Sequence, residues 1–358
     1  MEKERLDFAL IGCGKIAKRH AEILSQLREA RLIAVCDVME ERARTFAEHY
    51  GVRWYSSHHE MLEKEKTIQV VNVLTPSGLH AKNVLDIVEY KKHIVVEKPM
   101  ALTLDDADTM IDKCSKSGVK LFVVKQNRYN LPVRKLREAI EEERFGKLVL
   151  GSVRVRWCRR QDYYDSEPWR GTWAMDGGVL TNQASHHVDL LTWMMGDVES
   201  VMATTATRLV NIETEDTGAV IIKFRNGALG IIEATTATRP VDLEGSLSVL
   251  GERGVVEIGG FAVNEMKIWN FEDKKPGDGE ALEKYRQNPH EIYGFGHREY
   301  LKEVIESVRS GKEAFVDGVE GRKSLELVNA IYESVETGRE VFLRFKPRKC
   351  RLGMDTSG

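Results

Sequence analysis

The chain has 358 residues, more than one hydrophobic core usually serves, so two domains are expected. A net charge of −3, from 53 basic and 56 acidic residues, leaves no electrostatic footprint for nucleic acid. No window approaches the roughly 20 apolar residues of a membrane helix, and the first residues lack the apolar core of a signal peptide, which makes the cytoplasm the expected address.

Residues 1–124 alternate short apolar strands with amphipathic helices, the pattern of a doubly wound parallel sheet. Strands are expected at Phe8–Ile11, Leu32–Cys36, Val70–Leu74, His93–Val96 and Leu121–Val124. Helices are expected over Ile16–Leu27, Glu40–Tyr50, His59–Lys64, Leu79–Tyr90 and Leu104–Ser117, the last capped by Thr103 and closed by Gly118. Residues 125–346 read differently. A helix over Pro132–Glu143 leads to a strand in Lys147–Trp157, and one long helix is expected over residues 177–196. Strand-rich stretches follow at Ser200–Arg208, Thr217–Arg239 and Gly245–Phe271, with hairpin turns at Asn226-Gly227 and Glu252-Arg253-Gly254. They predict an α+β domain with a large, mostly antiparallel open sheet, suited to binding substrate and to forming a dimer or tetramer. Helices over Gly296–Ser310 and Gly321–Thr337 close the domain, and residues 347–358 read as a tail.

The chemistry begins at Gly12-Cys-Gly14-Lys15-Ile16-Ala17, set between the first strand and the first helix. Gly12 permits the tight turn, Gly14 lets a pyrophosphate approach the backbone, and Ala17 allows helix and strand to pack closely. Asp37 ends the second strand, 25 residues after Gly12, where a carboxylate hydrogen-bonds an adenosine ribose. The same carboxylate repels a 2′-phosphate, so NAD is the expected cofactor. Glu97 and Lys98 follow a buried strand, at the end where open parallel sheets bind ligands. On one continuous helix Asn182, His186 and Asp189 share a face, a polar face that calls for a ligand. The cysteines Cys13, Cys36, Cys114, Cys158 and Cys350 are scattered and read as free thiols, and His58-His59 reads as surface, so no metal is expected.

The segments GCGKIA, TPSGLH, VEKPMA and GGVLTNQASHHVDLL resemble the glucose–fructose oxidoreductase, inositol dehydrogenase and rhizopine catabolism (Gfo/Idh/MocA) family over residues 5–345. The resemblance implies that Lys98 and His186 contact the sugar carbon that loses hydride, with Asn182 standing where the family commonly has Asp. An amide cannot accept the hydroxyl proton, so base duty falls to His186 or Lys98. It also implies that Gly12, Gly14, Lys15, Ile16, Asp37, Thr75, Pro76, His80, Glu97, Lys98 and Asn127 line the cofactor. Within the family, KQNRYN, WRGTW and LTNQASHH are similar to dehydrogenases that oxidise C3 of UDP-N-acetylglucosaminuronic acid for surface polysaccharides. Such a substrate is anionic, and Arg128, Arg154, Arg156, Arg159, Arg160 and Arg170 are available to it. Arg154 and Arg156 alternate with apolar residues and can equally be a solvent face. Arg160, Tyr163, Trp169, Asn182, Gln183, His186 and His187 are the expected substrate contacts. Dehydrogenation of a free sugar or inositol, and a catalytically silent dinucleotide-binding regulator, are the alternatives.

Overall fold

The computed structural model describes residues 5–286, 296–343 and 352, and the tail expected at 347–358 otherwise lies outside them. The chain divides into two compact units, one made of residues up to Val124 with His297–Arg322, the other of Lys125–Gly296 with the segment from Lys323 on.

In the first unit the chain runs β1 (Leu6–Ile11), α1 (Lys15–Gln26), β2 (Ala30–Cys36), α2 (Glu40–Tyr50), β3 (Arg53–Tyr55), α3 (His58–Lys64), β4 (Val70–Val73), α4 (His80–Val88), β5 (His93–Val96), α5 (Leu104–Lys116) and β6 (Leu121–Val123). The strands form one parallel sheet in the order β3-β2-β1-β4-β5-β6. The order reverses between β1 and β4, and the crevice at the carboxyl ends of those two strands is where such sheets bind ligands. Thr103 caps α5 by accepting the Asp106 N–H at 3.1 Å, and Gly118 follows the helix at φ +67°. β3 escaped the sequence reading because three residues at a sheet edge carry too little alternation to register.

The segment 297–322 belongs to this unit, although the sequence reading gave it to the second domain. Its backbone is tied to the last strand: Val123 N–H donates to the Val316 carbonyl, and Lys120 Nζ donates to Ser307 Oγ and the Gly311 carbonyl. Hydrophobic periodicity finds a helix but not the sheet that it covers.

The second unit continues with α6 (Leu131–Glu141), β7 (Leu148–Arg156), α7 (Gln161–Asp165), α8 (Ser185–Met195), β8 (Val198–Ala206), β9 (Thr217–Phe224), β10 (Leu229–Thr235), β11 (Glu244–Gly251), β12 (Gly254–Gly259), β13 (Glu265–Phe271) and α9 (Ala281–Lys284). After them come α10 (Gly296–Ser310), which lies almost wholly in the first unit, α11 (Gly318–Thr337), which enters the second at Lys323, and β14 (Val341–Phe342). Among the described residues the sheet is eight-stranded, in the order β13-β12-β11-β7-β10-β9-β8-β14, and only β7 and β10 pair in parallel. The two expected hairpins close β9 on β10 and β11 on β12.

One face of this sheet is covered by α8. A Cβ at Gly151 would stand 2.6 Å from Met195 Cγ, so the glycine lets the helix approach. The other face carries Met202, Ile221 and Ile231 side by side in register, with Leu229 next to them, all substantially exposed. Arg154 and Arg156 lie among glutamates: Arg156 Nε and Nη2 grip Glu233 at 2.5 and 2.8 Å, and Arg154 Nη2 reaches Glu257 at 3.2 Å. Of their two readings, this pairing fits the sheet's solvent face.

Candidate active site

The first unit presents a dinucleotide cradle. Gly12 has φ +94°, and a Cβ there would lie 2.7 Å from the Leu74 carbonyl oxygen, so only glycine fits between β1 and β4. At Gly14 a Cβ would meet nothing within 4 Å. That position is open space over the N-terminus of α1, whose first turn has no acidic residue and no side-chain cap. Unopposed N–H groups and a positive dipole end suit a pyrophosphate. Lys15 is exposed and Ile16 half-buried beside it. Asp37 is nearly buried, and its two oxygens accept from Cys13 N–H and Met39 N–H, both at 2.9 Å. It therefore braces the glycine loop. Val38, 89% exposed, offers no cation for a 2′-phosphate.

His80 and Glu97, expected along the cofactor, are turned into the protein. His80 Nδ1 and Nε2 face the Pro99 and Thr75 carbonyls, each at 2.8 Å, so the buried ring is a strut between the turns that follow β4 and β5. Thr75 Oγ1 is held in turn by Asn83 Nδ2 at 2.8 Å, and Pro76 stays half-buried at the turn. Glu97 Oε1 pairs with His20 Nε2 at 3.1 Å and faces His297 Nε2 at 3.7 Å, while Oε2 accepts the Lys98 N–H at 3.0 Å. Burial alone would raise the Glu97 pKa. The hydrogen bond with His20 and the nearness of His297 outweigh it and hold the carboxyl well below the ordinary range. Asn72 Nδ2 donates to His20 Nδ1 at 2.9 Å, leaving His20 Nε2 to donate to Glu97. Glu97 thus fixes the backbone from which half-buried Lys98 extends. His20, Glu97 and His297, and on the surface His58, His59 and Asp86, bring three possible metal ligands together, groupings hidden in the sequence by the distance between their members.

In the second unit the expected helix over 177–196 begins only at Ser185. Residues 177–184 are held as turns by Glu215, whose backbone carbonyl accepts Val179 N–H and whose Oε1 accepts Leu180 N–H and Tyr332 O–H, at 2.9–3.0 Å. A Cβ at Gly178 would stand 2.2 Å from that carboxyl carbon. Burial, helped by Asp176, raises the Glu215 pKa to about 7. Asn182 consequently precedes α8 rather than sharing its face, and its Nδ2 donates to Asp176 at 2.6 Å.

Asp189 does lie on α8, but its partner is Arg128, which grips it through Nε and Nη2 at 2.7 and 2.8 Å, with Lys125 Nζ at 3.4 Å. Burial would raise the Asp189 pKa, and these two cations overcome it, lowering it to about 2. The polar face is thus met inside the protein. The same segment, Lys125–Asn130, supplies a contact that the sequence reading missed: Gln126 Nε2 lies 2.8 Å from His186 Nε2. One ring nitrogen of His186 is thereby fixed, which decides the tautomer offered to a ligand. Asn127 is buried next to it.

His187, an expected substrate contact, is fully buried against Trp157, and neither ring nitrogen has a hydrogen-bond partner among the described residues. Burial lowers its pKa to about 4. Arg160, an expected substrate contact, is exposed, and its Nη2 reaches the Pro240 carbonyl at 3.4 Å. Trp173 packs in the core against Tyr332. Tyr163, Trp169 and Gln183 do converge, around Arg170. Its guanidinium lies over the Tyr163 and Trp169 rings, 4.4 and 4.6 Å from their centroids, and its Nη1 donates to Tyr163 Oη at 2.5 Å, with Gln183 facing that hydroxyl.

The class follows from comparison. Residues 6–125 match the family model described as the oxidoreductase family NAD-binding Rossmann fold, and residues 137–343 match its C-terminal alpha/beta domain. The chain belongs to the Gfo/Idh/MocA oxidoreductase family, and its first domain is an NAD-binding Rossmann domain. Among solved structures it is similar to the WlbA dehydrogenase of Bordetella pertussis in complex with NADH and UDP-GlcNAcA, at 40% identity and a TM-score of 0.90, covering 96% of this chain and 99% of that one. The WlbA dehydrogenase of Chromobacterium violaceum, with the same two ligands, matches at 43% and 0.90, over 96% and 97%. Myo-inositol 2-dehydrogenase of Thermotoga maritima is 31% identical over 93% of this chain and 97% of its own length.

Three variants check this geometry. Gly12→Ala should lower stability to urea by about 1–3 kcal/mol through the clash and the positive φ. Gly14→Ala should leave stability unchanged and weaken NAD in a fluorescence titration. For His187 the unfolded chain takes up its proton near 6.5 and the folded chain near 4, so stability is full above 6.5 and falls as pH drops between these values. The loss approaches about 3 kcal/mol at 1.36 kcal/mol per pH unit. His187→Gln should flatten stability against pH across that window by a similar amount.

Proposed function

We propose that the protein is an NAD-dependent dehydrogenase that oxidises the C3 hydroxyl of UDP-N-acetylglucosaminuronic acid to the 3-keto sugar. The observation that carries this reading is the match, over nearly the whole chain, to two enzymes crystallised with NADH and UDP-GlcNAcA, at higher identity than to the inositol dehydrogenase. The cradle at Gly12, Gly14 and Asp37 fits NAD, which when bound accepts the hydride. Base duty falls to His186, held at Nε2 by the Gln126 amide, or to Lys98, whose backbone Glu97 anchors and which in its cationic form stabilises the developing oxyanion. Asn182, turned to Asp176, orients a hydroxyl without accepting its proton.

The reading includes a homo-oligomer joined through the apolar row Met202, Ile221 and Ile231. A row that exposed on a sheet face is the kind of patch a partner covers. It also includes residence in the cytoplasm, consistent with free Cys13, Cys36, Cys114 and Cys158. No helix among the described residues is long and apolar enough to cross a membrane.

With NAD and a substrate panel, NADH should form from UDP-N-acetylglucosaminuronic acid. NADH from inositol or free sugars alone would move the assignment to the second reading, which the Thermotoga relative favours. Lys98→Ala should lower kcat by at least about 100-fold, with NADH binding still detectable by fluorescence. A variant turning over at near wild-type rate would remove Lys98 from the chemistry and reopen the silent-regulator reading. Ile221→Glu with Ile231→Glu should reduce the mass measured by light scattering to that of a monomer; an unchanged mass places the interface elsewhere.

A further inference from the structure

Four of the six arginines gathered by the sequence are committed to carboxylates: Arg128 to Asp189, Arg154 to Glu257, Arg156 to Glu233 and Arg159 to Asp242. Arg160 lies exposed. Arg170 is different. Its Nη1 is tied to Tyr163 Oη, its plane is covered by Tyr163 and Trp169, and no carboxylate pairs with it. Among the described residues its Nε is buried without any hydrogen-bond partner, and its Nη2 makes no hydrogen bond either.

The vacant edge is the chemically informative one. Nε and Nη2 are the two donors by which a guanidinium grips a carboxylate in a fork, and this protein uses that edge of Arg128 on Asp189 and of Arg156 on Glu233. A buried charged donor left without an acceptor is costly, and a ligand oxyanion removes that cost. The surroundings name the end of the ligand. Gln183 faces Tyr163, and Asn182 beside it donates to Asp176, three and four residues before His186. Asp176 is the nearby anion, but its Oδ1 and Oδ2 accept from Asn182 and from Gly171 N–H, and Arg159 above Tyr163 is neutralised by Asp242.

We propose that the Nε–Nη2 edge of Arg170, braced by Tyr163, is the subsite that receives the carboxylate of a uronic acid and so makes the enzyme selective for an acidic sugar. This rests on the reading of the protein as a sugar dehydrogenase. A diphosphate presents similar oxyanions, and the position of the cluster just ahead of His186 favours the sugar end.

The test compares ligands that differ only at the acid. For wild type, Arg170→Gln and Arg170→Lys, kcat/KM is measured on UDP-N-acetylglucosaminuronic acid and UDP-N-acetylglucosamine, inhibition is measured with UDP, and binding with glucuronate and glucose. Circular dichroism confirms the fold of each variant. In Arg170→Gln the preference for acid over neutral sugar should fall on the order of 100-fold, mainly through KM, with Arg170→Lys between. An unchanged preference, or equal losses on both sugars, overturns the subsite. Weakened UDP inhibition with the preference intact reassigns the edge to the diphosphate and overturns it too. If nucleotide sugars fail as substrates while wild type still prefers glucuronate to glucose and Arg170→Gln erases that preference, the proposed function falls and the subsite stands.

Discussion

Asp189 is a carboxylate with almost no access to water, and a charge in that place has to be matched inside the protein. Arg128 matches it with two parallel hydrogen bonds, and Lys125 adds a second cation that Ser324 holds at 2.6 Å. The pair joins the short turn before α6 to the middle of α8. Because Gln126 lies in that turn and His186 lies one helical turn before Asp189, the ion pair also sets the Gln126–His186 contact. Truncating one partner of such a pair usually costs about 3–5 kcal/mol, since it strands the other charge. Here it would release His186 as well.

The first unit solves a related problem with a different charge. Glu97 is an anion in the interior, satisfied by His20, by His297 and by the backbone of Lys98. Two of those partners come from helices far apart in the chain, α1 and α10. The helix that points its N-terminus at the cofactor cradle therefore also anchors the loop that carries Lys98. In both units the residues proposed for the chemistry are held in place by buried charges.

Local features were legible in the sequence and long-range ones were not. Gly12, Gly14 and Asp37 could be read because the fingerprint is a strand, a turn and a helix within one stretch of chain. The hairpin turns could be read for the same reason. Asn182 was misplaced because residues 177–196 carry helical periodicity, while the contact that breaks the helix, Glu215, sits about 35 residues further on. Glu97 and His80 looked like ligands because polar side chains at a strand end usually face outward, and their partners lie on other elements. His187 was a different matter. Adjacent residues on a helix point about 100° apart, and His187 is the one packed against Trp157.

Asp37 has a consequence for how the family could change cofactor. A carboxylate at this position excludes a 2′-phosphate, and the simplest route to NADP is to replace it and put a cation nearby. In this chain the same carboxylate ties down the amides of Cys13, inside the glycine loop, and Met39, at the head of α2. Removing it frees one backbone donor in the glycine loop itself and another at the head of α2. Cofactor preference here is welded to loop rigidity, and a lineage drifting toward NADP would need a substitute brace, such as Ser or Asn, before the new cation could be of use.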